Sequence, residues 1–129
     1  MKKFNKSEIM KKAWELFRAG KEAFAVCLHR AWTIAKMVSI GNLWEKYGKR
    51  RVYFHFDFLQ EKIGLWLHYY KTGNLSVVKL NGETISNAEG RRWIESMDSV
   101  YYDLDKKAFF GKGRHFENVV AIIKTACGM

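Results

Sequence analysis

The apolar residues of this chain change period once, near Gly48-Lys49-Arg50-Arg51. Before that point they recur every three or four positions, as on helices. After it they alternate and are punctuated by turn signals. A chain patterned this way is neither a uniform helical bundle nor an all-strand barrel. It belongs to the α+β class: an N-terminal helical pair followed by a small antiparallel sheet with two further helices. The division separates a basic helical segment, residues 1–49, from a sheet-plus-helix segment, residues 50–129. At 129 residues the two are expected to fold as one compact unit.

The first helix is expected to start at Asn5, with Glu8 three residues on completing a capping box. Ile9, Met10, Ala13, Trp14, Leu16 and Phe17 form its apolar stripe, and Ala19-Gly20 ends it. A second helix runs from about Glu22 and places Phe24, Cys27, Leu28, Ala31, Ile34, Ala35 and Val38 on one side. The same spacing continues through Ile40, Leu43, Trp44 and Tyr47, past a kink or break at Ser39-Ile40-Gly41. Val52 to Phe58 then alternates as one strand, with Val52, Phe54, Phe56 and Phe58 on its buried face. Gly64–Tyr70 and Leu75–Leu80 read as further strands, and Asn81-Gly82 as a tight turn. Ser86 and Glu89 form a second capping box, opening a short helix through Trp93, Ile94 and Met97. Val100–Leu104 and Ala108–Phe110 form a hairpin, and Phe116 to Ile123 marks a terminal helix.

Several function classes are disfavoured by composition. A hydrophobic fraction of 48% excludes disorder of the whole chain. No long apolar stretch free of charges is present, so no membrane partner is expected. The first residues do not read as a secretory signal. Cys27 and Cys127 lack metal-site spacing, and a reducing cytoplasm suits them. His29, His55, His68 and His115 are scattered, so no metal or other cofactor is expected. Gly111-Lys112-Gly113 lacks the remaining residues of a phosphate loop. Asp57 with Glu61-Lys62 lacks the spacing of a metal-dependent nuclease. The chain is therefore not expected to be an enzyme; a metal-free ribonuclease using His115 and Arg114 is the weakest alternative.

Charge points to a binding role. Residues 1–51 hold 13 basic residues against 4 acidic ones, a net +9 out of the total +10. Such asymmetry suits a polyanionic partner. On a helical wheel His29, Arg30, Thr33 and Lys36 share the side of the second helix opposite its apolar stripe. With Lys46, Lys49, Arg50 and Arg51 they make the candidate contact patch. Tyr47 and Tyr53, flanking that run, would stack a base next to phosphate contacts or cover the seam between helices and sheet. The apolar stripes of the two helices can close on each other, on the sheet, or on a second copy in a homodimer.

Two segments also carry a resemblance. Asn5-Lys6-Ser7-Glu8-Ile9-Met10-Lys11-Lys12-Ala13-Trp14 is followed by Phe24-Ala25-Val26-Cys27-Leu28-His29-Arg30-Ala31-Trp32-Thr33-Ile34-Ala35-Lys36. Together they resemble the N-terminal segment of small phage and prophage proteins with an EIMKxAW…FxxCLxxAWxxAK pattern, a group of which inhibits type II CRISPR effectors. The resemblance covers about a quarter of the chain, at positions that are mostly core on the helical wheel. It implies a mobile-element protein in the cytoplasm of a bacterial host. Such an anti-CRISPR protein would bind a CRISPR effector nuclease or its guide RNA and block nucleic-acid binding stoichiometrically. The alternative is a phage accessory or regulatory protein that binds free DNA or RNA.

Overall fold

The computed structural model describes residues 4–20 and 22–129. Two helices come first, α1 (Lys6–Ala19) and α2 (Phe24–Ser39). The Asn5 side chain accepts the Glu8 N–H at 3.1 Å, so the expected cap is formed. Ile9 and Ala13 of α1 bury themselves against Ala31 of α2, and Phe24, Leu28, Trp32 and Ala35 surround them. This small cluster is distinct from the main core. Among the described residues, the extensive packing of α1 is against α2.

The chain then departs from its helical spacing. α2 stops at Ser39, and Gly41–Lys46 is a strand, β1, paired antiparallel with β2 (Lys49–Phe54). Ile40, Leu43, Trp44 and Tyr47 therefore do not continue the helix. In so short a run, spacings of three and four coexist with the alternation Asn42, Trp44, Lys46, and the available strand partner decides. Tyr47 and Gly48 make the hairpin turn with φ of 54° and 73°, the left-handed pair of a type I′ turn.

The strand expected over 52–58 is also shorter than its alternation. It ends at Phe54, and Phe56–Ile63 is a helix, α3. Phe56, Leu59 and Ile63 fall on one helical side and pack into the main core. Gly64 closes α3 at φ 77°, the left-handed conformation that favours glycine at a helix end.

A three-stranded antiparallel sheet follows: β3 (Leu65–Tyr69), β4 (Leu75–Leu80) and β5 (Glu83–Ile85), in that order. Asn81 and Gly82 turn between the last two at φ 52° and 86°, as their sequence predicts. Ser86 caps α4 (Asn87–Ser99) by accepting the Glu89 N–H at 3.1 Å. The chain then returns to the first sheet with β6 (Tyr101–Asp103) and β7 (Ala108–Phe110), giving the order β1-β2-β6-β7. Helix α5 (Phe116–Cys127) completes the fold.

The architecture is α+β, with two small antiparallel sheets rather than one and three helices after the N-terminal pair rather than two. Its main core joins Met37 of α2, Val52 of β2, Leu59 of α3, Val78 of β4, Met97 of α4 and Ile123 of α5. Only one face of the four-stranded sheet enters it.

Candidate nucleic-acid interface

Antiparallel register decides which side chains share a sheet face, because directly paired residues point the same way. Val52, Tyr102 and Phe109 form one such row across β2, β6 and β7, and all three pack in the main core. The neighbouring rows must point outward. One is Asn42, Tyr53, Tyr101 and Phe110; the other is Trp44, Arg51, Asp103 and Ala108. Lys46 and Lys49, paired at the hairpin end, carry the same face to its tip. None of Trp44, Tyr53, Tyr101 and Phe110 belongs to either buried cluster.

These outward side chains form a continuous surface. Tyr53 and Tyr101 have ring centroids 5.5 Å apart, and Tyr101 stacks on Phe110 at 5.7 Å. The Arg51 guanidinium lies over Tyr101 at 4.5 Å and beside Trp44 at 5.6 Å. Its Nη1 donates to the Tyr53 hydroxyl at 3.1 Å, while its buried Nε has no hydrogen-bond partner among the described residues. The Tyr53 hydroxyl bond is the main influence that holds Arg51 further toward its charged form. Asp103, the acid of these rows, is buried, and its carboxylate accepts the backbone N–H groups of Asp105 and Lys106, each at 2.9 Å. Lys106 approaches the Phe110 ring at 5.2 Å, and Lys46 approaches the Tyr47 ring at 5.3 Å. Tyr47 itself is 84% exposed at the hairpin tip.

The sequence-predicted patch is thus divided. Lys46, Lys49, Arg51 and Tyr53 come together here. Arg50 points to the opposite side of its strand and pairs with Asp105, at 2.8 Å from Nη2. His29, Arg30, Thr33 and Lys36 lie elsewhere, and they do not share a free outer face. Helix α2 is covered on two sides: α1 packs on one, while Thr33 and Met37 are buried on another. His29, Arg30 and Thr33 line a groove of about 290 Å³ with Tyr102, Leu104 and Lys107. Arg30 pairs there with Glu22, which Lys107 also approaches at 3.6 Å. Thr33 Oγ1 donates to the His29 carbonyl at 3.0 Å. Lys36 lies by the end of α5, where its charge partly offsets the upward push that burial gives the Cys127 thiol.

Trp44, Tyr101, Phe110 and Lys106 were absent from the predicted set. Tyr101 and Tyr102 are visible as strand residues, but their place beside β2 depends on a pairing across about fifty residues of chain. Nothing local signals it.

A second polar cluster joins α4 to the start of α5. His115 stacks on Trp93 with centroids 3.9 Å apart, and its Nε2 contacts the Glu89 carboxylate. Buried Ser96 accepts the His115 N–H and donates to the Arg92 carbonyl, each at 3.0 Å. Both ends of the histidine–glutamate pair are occupied, which suits fastening of two helices. Arg92 first, and His115 second, hold the Glu89 carboxyl below its ordinary range. A lowered folded-state pKa stabilises the fold above the unfolded value, near 4.5, and that contribution is lost as pH falls through the folded value. Glu89→Gln is accordingly expected to lower the urea midpoint at about pH 6, with the gap to wild type shrinking toward about pH 3. A gap independent of pH would show that the carboxylate's charge does not contribute.

Among the described residues no three His, Cys, Asp or Glu side chains gather to hold a metal ion, and no helix is long and apolar enough to cross a membrane. No protein-family model, curated protein or solved structure matches the chain.

Proposed function

We propose that this chain is a nucleic-acid-binding protein acting through the outward face of its four-stranded sheet. The observation that carries this reading is the meeting of Arg51, Lys46, Lys49 and Lys106 with an aromatic row on a sheet face left out of the core. Cations there would neutralise phosphates and release their counterions, so binding would weaken steeply with salt. The aromatic rings would supply a contact that salt does not screen.

A second reading has a specific observation in its favour. Met10, Trp14 and Phe17 lie one helical turn apart along α1; Trp14 and Phe17 touch Phe24 at the start of α2, at ring centroids 4.4 Å and 5.8 Å, yet the three stay 43%, 45% and 39% exposed, a partly open apolar stripe. A binder of free nucleic acid has no use for such a stripe, whereas an inhibitor that also grips a protein does. Together with the resemblance of residues 5–37, this favours an anti-CRISPR protein of a phage or mobile element, held on a guide RNA-bearing effector in the host cytoplasm.

One experiment separates the two. The tagged protein is mixed with a purified type II effector and its guide RNA, with and without nuclease, and free RNA and DNA are titrated in parallel by fluorescence anisotropy. Retention of effector after nuclease supports the inhibitor. Capture of nucleic acid alone, reversed by salt, supports the free binder. No association with nucleic acid or effector at about 50 mM salt would overturn both readings.

A further inference from the structure

We infer that the outward sheet face takes single-stranded nucleic acid, with a base stacked on the hairpin-tip Tyr47 and phosphates held by Lys46, Lys49 and Lys106. This rests on the nucleic-acid reading above and commits it to one substrate class.

The geometry of the face favours single strands over duplex. Tyr47 is the open ring, 84% exposed at the hairpin tip, whereas Tyr53, Tyr101 and Phe110 behind it are half-buried and pack on one another, 5.5 Å and then 5.7 Å apart, with Arg51 over Tyr101. A ring is useful to a base only when that base is unstacked, which a duplex does not offer. Duplex phosphates would still meet the lysines, but the Tyr47 ring would contribute nothing. Arg51 adds charge to the face: its guanidinium is held between Trp44 and Tyr101 and donates to the Tyr53 hydroxyl.

Tyr47 supplies the independent observation. It occupies the first turn position at φ 54°, where asparagine or glycine is comfortable and an aromatic residue is not. The chain does use asparagine at the equivalent place in its other tight turn, Asn81 at φ 52°. The ring at position 47 gains little from the fold, being 84% exposed between two lysines. A backbone conformation kept against its residue's preference, with an exposed aromatic at its tip, is most simply explained by something that ring touches.

The test uses the intact protein and a labelled 12-nucleotide strand of mixed sequence, as RNA and as DNA, beside the corresponding duplexes. At about 0.15 M salt the single strand is expected to bind about 10-fold more tightly than duplex. Tyr47→Asn relaxes the turn, so it cannot fail through misfolding, and it is expected to cost about 5-fold on the single strand alone. Equal affinity for both forms, with Tyr47→Asn having no effect, would overturn the single-strand inference while leaving nucleic-acid binding intact. Absence of binding to any form at about 50 mM salt would overturn the underlying reading as well.

Discussion

Gly41→Ala is expected to destabilise the protein by about 3 kcal/mol, the upper end of what forced overpacking usually costs. In a chain of 129 residues this corresponds to a fall in Tm of about 10 °C. The reason is close approach. A Cβ on Gly41 would lie 2.3 Å from the Tyr53 carbonyl oxygen and 3.1 Å from the Phe54 Cα, all backbone that cannot rotate away. Gly41 is the first residue of β1 and the partner of Phe54, so the clash falls where α2 hands over to the sheet. Gly20→Ala is the control, since a Cβ there meets one carbonyl oxygen at an ordinary 3.4 Å. It is expected to change stability by less than about 0.5 kcal/mol. Thermal unfolding followed by circular dichroism reads both. A Gly41→Ala protein with wild-type Tm and increased helix content would mean that α2 runs on through Leu43 and Trp44, contrary to the hairpin.

That handover is also where the sequence was hardest to read. Features fixed by a few adjacent residues were legible: the Asn5 and Ser86 caps and the Asn81-Gly82 turn all form as expected. Those decided by tertiary partners were not. Ile40 to Tyr47 carries helical and strand spacings at once, and pairing with β2 selects the strand. Phe56 and Phe58 extend a period-two pattern, yet Phe56, Leu59 and Ile63 satisfy a helical one that reaches the core. The candidate interface suffered in the same way. Lys49, Arg50 and Arg51 look like one charge run in sequence, but alternation along β2 sends Arg50 to one face and its neighbours to the other. The aromatic half of the surface arrives from β6 and β7, through pairings that no local pattern encodes. On α2 the wheel identified a polar side correctly as a composition, but not that the body of the protein packs against part of it.

The opposed directions of Arg50 and Arg51 allow the interface to be tested between adjacent residues. Arg51→Glu is expected to weaken single-strand binding about 100-fold at about 0.1 M salt, because it removes a phosphate-neutralising charge and installs a repelling one. It also dismantles the guanidinium stack on Tyr101 and Trp44 and sets a new carboxylate near Asp103. The slope of log affinity against log salt should fall by about one or more. Arg51→Lys keeps the charge but loses the planar stack, and about a 5-fold loss is expected. Arg50→Glu changes net charge by the same amount as Arg51→Glu, on the other side of the strand. Its effect on binding should stay within about 3-fold, since only longer-range attraction is altered. It breaks the pair with Asp105, in which both side chains are more than 40% exposed, so less than about 1 kcal/mol of stability is at stake. Equal losses from the two charge reversals would mean that total charge, rather than this face, sets affinity. Unchanged binding in Arg51→Glu would move the site off the sheet, toward the Arg30 and Lys107 groove beside α2. A large loss confined to Arg51 would tie the basic character of the N-terminal half to one surface, where charge and aromatic rings act on the same strand of nucleic acid.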